Sequence, residues 1–127
     1  MAYIYYNPNP VGRSVDDCAV RAIAKALSVS WDDAHEMLCY NARMMGDMPH
    51  AESVWGSVLR QHGFYRTTLP NSCPDCYTAA DFCRDNPYGF FVLKFSGHVA
   101  TVVDGTIYDS WDSSREIPSY FWFRKGN

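Results

Sequence analysis

The chain has 127 residues, of which 47% are apolar and 16% aromatic, and a net charge of −3. That suffices for one compact domain over residues 1–127 and excludes a disordered tail or a fibrous protein. The charge balance gives no electrostatic ground for nucleic acid or anionic lipid as a partner.

No basic segment followed by an apolar run opens the sequence, and no stretch nears the ~20 apolar residues that span a bilayer. The expectation is a soluble, cytosolic protein with no membrane partner.

Residues 1–13 carry aromatics and then Asn7-Pro8-Asn9-Pro10, which disfavours helix and reads as an extended entry. Asp17 to Leu27 is a run of strong helix formers with Val20, Ile23, Ala24 and Leu27 as its aliphatic stripe, and Ser14, Asp16 or Asp17 can cap it. A second helix is expected from Trp31 to about Asn41, then a loop from Met44 to Pro49. A third runs from about Ala51 to His62 and is stopped by Gly63. Phe64 to Leu69 reads as extended, and Thr78 to Arg84 as a brief helix after a turn-rich segment. Past Pro87 the pattern turns to β-branched and aromatic residues: Phe90 to Phe95, Val99 to Val103, Thr106 to Ser110, and Tyr120 to Phe123. Helices first and strands afterwards predict an α+β fold with N-terminal helices packed on a C-terminal antiparallel sheet.

Asp104-Gly105 between two apolar runs marks a hairpin, because a type I′ turn needs positive φ at both centres. Val103 then faces Thr106, His98 faces Trp111, and Ala100 faces Asp109. This parity puts His98, Asp109 and Trp111 on one side of the sheet, with His98 and Asp109 roughly 7 Å apart between Cβ atoms. A carboxylate there fixes the imidazole tautomer, and Trp111 shields the bond from water.

Cys18 opens the first helix, where free N–H groups and the macrodipole favour a thiolate. It points away from the aliphatic stripe. Ala19, Ala22 and Ala26 on the flanks nearer to it are small enough to let a sheet approach. Asp16 and Asp17 oppose ionisation of the thiol by their charge. A helix-initial thiol and a later His–Asp pair together make a nucleophile, a base and an orienting group.

Helix-initial Cys18, His98 followed by Val99-Ala100-Thr101-Val102-Val103, and Asp109-Ser110-Trp111 resemble, in order and context, the papain-like cysteine peptidases. Asp109-Ser110-Trp111 is similar to that family's Asn-Ser-Trp, with Asp orienting the base as in the bacteriocin-processing branch. The resemblance implies a Cys–His cleft between helices and strands, a peptide or protein substrate, and no cofactor. The family also places a Gln before its Cys as an oxyanion donor and a Trp after it. Here the only Gln is Gln61, and Ala19 stands where the Trp would be. Asn7 or Asn9 can supply the amide, with Asn9 preferred; the bland reading makes both of them turn formers beside proline.

The remaining cysteines are expected to be thiols or ligands rather than a disulfide framework. Cys73-Pro74-Asp75-Cys76 invites a zinc reading, but no second close pair exists, and Cys83, Cys39, His50 and His62 are the scattered help. No metal site is therefore assigned. His35 reads as solvated or a core edge, and Met44, Met45 and Met48 as an adaptable apolar patch that either lines a substrate cleft or, by default, fills the core. Two function classes follow: a cysteine hydrolase acting on a peptide, isopeptide or other amide through Cys18, His98 and Asp109, or an inactive binding module on the same scaffold, with or without structural zinc.

Overall fold

The computed structural model describes residues 2–69 and 76–124. Along the chain run β1 (Tyr3–Tyr5), α1 (Cys18–Leu27), α2 (Trp31–Met45), α3 (Glu52–Gln61), β2 (Phe64–Thr68), α4 (Ala79–Asp85), β3 (Phe90–Phe95), β4 (His98–Val103), β5 (Thr106–Asp109) and β6 (Tyr120–Arg124). The strands form one sheet in the order β1-β5-β4-β3-β6-β2.

The fold is α+β, but the sheet is neither wholly antiparallel nor wholly C-terminal. β1 joins its edge parallel to β5, with Tyr5 beside Asp109, and β2 closes the other edge against β6. α4 enters between β2 and β3. The expected layout of N-terminal helices on a C-terminal antiparallel sheet is corrected to that extent. The entry segment gives only three residues to β1 before Pro8, too few to show a strand period.

Side-chain alternation along β3 gives the sheet two buried faces. Val92 lies with the residues of α1, α2 and α3, together with Val99 and Trp122. Phe91, Leu93 and Phe95 lie with Phe82 of α4, Val102 and Ile107. Each fully buried side chain of the Leu or Ile size contributes about 1.5–3 kcal/mol.

α1 is enclosed on both flanks. Ala19, Ala22 and Ala26 are buried, and so are Ile23 and Ala24, while Val20 and Leu27 are only partly so. The alanines allow the close approach that Thr101 of β4 uses to donate its hydroxyl to the Ala22 carbonyl at 2.7 Å. α2 is capped by Ser30, which accepts from the Asp33 N–H at 3.0 Å, and ends at Gly46 with φ 68°. It therefore continues past Asn41 through Ala42-Arg43-Met44-Met45, all good helix formers, where a loop was expected at Met44 and Met45. Met44, Met45 and Met48 are exposed and fill no core. Among the described residues no helix is long and apolar enough to cross a membrane.

The β4–β5 hairpin has the expected register, with Thr101 beside Tyr108, Val102 beside Ile107 and Val103 beside Thr106. Asp104 and Gly105 have φ 49° and 76°, as the two-residue turn demands. A Cβ on Gly105 would also stand 3.1 Å from the Cys83 carbonyl oxygen, so the position resists a side chain twice over. Gly105→Ala should lower unfolding free energy by about 1–3 kcal/mol in a urea titration, and an unchanged midpoint would contradict the tight-turn reading.

Candidate active site

Cys18 is the first residue of α1, and Asp17 occupies the N-cap position without capping through its side chain. The Cys18 thiol therefore sits beside backbone N–H groups that no side chain of the cap satisfies. His98 is the first residue of β4 and Asp109 the last of β5. The hairpin delivers them together: His98 Nε2 and Asp109 Oδ2 are 2.6 Å apart. With Nε2 so engaged, Nδ1 is the ring nitrogen left over, and Cys18 lines the same cleft as His98 and acts on its protonation.

Two aromatic rings stand beside His98. Phe95 lies at 5.9 Å between ring centroids and Trp111 at 4.8 Å. Trp111 is 44% exposed, so it forms the solvent-side cover over a buried hydrogen bond.

Asp109 is 1% exposed and all of its bonding capacity is used. Oδ2 also accepts from the Ser113 hydroxyl at 2.7 Å. Oδ1 accepts from the Ser110 N–H at 2.8 Å and from Arg21 Nη2 at 3.2 Å. Arg21 in turn pairs through Nη1 with Asp17 Oδ1, and Asp17 Oδ2 accepts from Trp31 Nε1 at 2.8 Å.

Burial pushes the His98 imidazole toward the neutral form. The hydrogen bonds to Asp109 and Cys18, with the charges behind them, outweigh burial and carry it up to about 9. Burial likewise pushes the Asp109 carboxyl up, but the hydrogen bonds from His98 and Ser113, the His98 charge and the Ser110 N–H hold it below the usual carboxylate range. Both shifts favour the ion pair.

The Cys18–His98 pair opens on a cleft of about 640 Å³. Its walls include Val20 and Trp31, Pro49 and Trp55 near the two ends of the loop into α3 and along that helix, and Gly97 at the β3–β4 turn. His35 and His50 line it too, and His35 stacks on Trp31 at 4.9 Å between ring centroids. His35 is thus a wall of the cleft as well as a solvated helix residue.

Three of the four expected site residues meet; Asn9 does not join them. Asn9 Oδ1 accepts from the Val11 N–H at 3.0 Å, Asn7 Oδ1 accepts from the Asn9 N–H, and neither side chain lines the cleft. Both act as turn formers beside proline, the bland reading of the sequence.

Cys73, Pro74 and Asp75 lie outside the described residues. Cys76 is disulfide-bonded, which corrects the expectation of a thiol or ligand there, while Cys18, Cys39 and Cys83 are free. Among the described residues no three His, Cys, Asp or Glu side chains stand together as a metal site.

Sequence reasoning missed Arg21, Ser113 and the pairing of Asp17. One signal was available: Arg21 follows Asp17 by one helical turn and lies about 60° around the helix from Cys18. A cation on the Cys18 side of an alanine-rich helix needs a partner.

The His98 contribution to folding depends on pH with a defined sign. A basic group whose pKa rises from 6.5 to about 9 on folding stabilises fully below 6.5, and that contribution is lost as pH rises through 9. Denaturant unfolding between pH 6 and 10 should show stability falling over this window, and His98→Gln should flatten it. A flat wild-type profile would contradict the ion pair.

No family model, no curated protein and no solved structure matches the chain, so its own residues carry the functional reading.

Proposed function

We propose that the protein is a papain-like cysteine hydrolase, a peptidase, isopeptidase or amidase of the cytosol that acts through Cys18, His98 and Asp109. The observation that carries the reading is the convergence of a helix-initial thiol with an imidazole bonded at 2.6 Å to a buried carboxylate, at the edge of a cleft. The convergence spans 80 residues of chain between Cys18 and His98, so it is not a product of local sequence.

The chemistry follows from the contacts. The thiolate of Cys18 attacks the amide carbonyl carbon, and a C–S bond forms. The oxyanion is met by the Cys18 backbone N–H at the start of α1. The imidazolium of His98 gives its proton to the leaving nitrogen as the C–N bond breaks. Water then attacks the thioester with His98 as base, the C–S bond breaks, and the acid leaves. Asp109 holds the ring so that Nδ1 faces the thiol throughout. An amine entering in place of water would make the same site a transferase. The steps require no cofactor.

One observation favours the second reading, a binding module without turnover. The amide expected to complete the oxyanion site belongs to Asn9, which is committed to its own turn. A substrate-derived or water donor would have to replace it.

Iodoacetamide separates the two readings. Cys18 should be alkylated well ahead of Cys39 and Cys83, and His98→Ala should slow that alkylation by at least about 100-fold. Equal labelling of the free thiols, or a rate indifferent to His98, would support the module. For an amide that is turned over, kcat/KM should fall as pH rises through 9, because the leaving nitrogen then finds no imidazolium.

A further inference from the structure

The catalytic carboxylate has a second cationic neighbour that the mechanism above does not use. Arg21 is 6% exposed, yet it occupies the interior between α1 and β5, with Asp109 on one side at 3.2 Å and Asp17 on the other. Asp17 is 8% exposed and is itself fixed by Trp31 Nε1. Read outward, the groups alternate in sign, Asp17, Arg21, Asp109 and His98, with the Cys18 side chain beyond them. A guanidinium is suited to this place, because its fork reaches two carboxylates at once and it stays charged when buried.

From this geometry we infer that Arg21 is a positioning residue for the triad, keeping Asp109 ionised and oriented in the part of the cycle when His98 is neutral. The inference takes its functional meaning from the hydrolase reading, but it can be tested without turnover.

The argument is electrostatic. While His98 is an imidazolium, Asp109 has a cation against Oδ2. Once His98 gives its proton to the leaving group, that cation is gone. A carboxylate that is 1% exposed would then be left without a countercharge, which strongly favours its protonation. Uptake of a proton by Asp109, or retention of the proton by His98, would stall the second half of the reaction. Arg21 remains charged in both halves and stands against Oδ1, away from the imidazole. Ser113 and the Ser110 N–H orient the carboxylate but bring no charge.

The sign for His98 follows. A fixed positive charge beside Asp109 makes neutral His98 easier to reach, so Arg21 lowers the imidazole pKa relative to a site without it. The titratable groups that act on His98 directly are Asp109 on β5 and Cys18 on α1. Lys94 of β3, with Asp16 and Asp17 ahead of α1, lines the same cleft.

The test is an NMR titration of the His98 ring in the full chain, wild type against Arg21→Gln and Arg21→Lys. The wild-type midpoint should lie near 9. Arg21→Gln should raise it by about one unit, and Arg21→Lys, which keeps the charge, should return it most of the way. If Arg21→Gln does not fold, the double variant Asp17→Asn with Arg21→Gln removes the stranded carboxylate as well and should show a smaller upward shift, because the lost Asp17 charge acts in the opposite sense but stands one group further from His98 in the chain of contacts. A midpoint unchanged or lowered in the folded glutamine variants would overturn the inference, reducing Arg21 to a structural ion pair. Iodoacetamide labelling of wild type that ignores His98 would instead defeat the hydrolase reading, while the titration still decides whether Arg21 tunes His98.

Discussion

The bond between His98 Nε2 and Asp109 Oδ2 fixes which ring nitrogen is free, where the imidazole plane lies, and how strongly it holds a proton. A lone histidine on a strand end has none of these settled. Here the hairpin turn sets the separation of the two residues, the aromatic rings of Phe95 and Trp111 confine the imidazole, and Ser113 and Ser110 orient the carboxylate. Cys18 needs only to arrive at the remaining nitrogen.

Its arrival depends on α1. An alanine-rich helix can lie close enough to β4 for Thr101 to bond the helix backbone, and that contact fixes the helix along its axis. The same helix carries Arg21 to Asp109, so Cys18 and the carboxylate are tied through one rigid element. Burying Asp17, Arg21 and Asp109 costs solvation energy that an apolar cluster would not. A purely structural helix contact would be made more simply with leucine and isoleucine. The retention of charge here is consistent with a site that must hold a proton in different places at different times.

Much of this was legible in the sequence where local chemistry is demanding. The Asp104-Gly105 turn requires positive φ at both residues, so it set the register of β4 on β5 and with it the His98–Asp109 pairing. The helices were legible from composition and stop signals, although α2 extends to Met45. What escaped depends on partners far along the chain. β1 is a strand only because β5 lies beside it, and nothing within Tyr3–Tyr5 announces that. Arg21 reads as an ordinary solvated cation until Asp109, 88 residues away, is brought against it. Asn9 was drawn toward the site by family resemblance, whereas its neighbours Pro8 and Pro10 favour the turn it occupies.

The central claim is that Cys18, activated by His98, is an acyl acceptor. The most direct measurement is peptide mapping by mass spectrometry after brief exposure to an activated ester such as p-nitrophenyl acetate. The account predicts one acetyl group on Cys18 that is subsequently hydrolysed, and loss of both events in His98→Ala. Acetyl groups scattered over lysines and the other thiols, or a Cys18 adduct that forms equally well without His98, would contradict it.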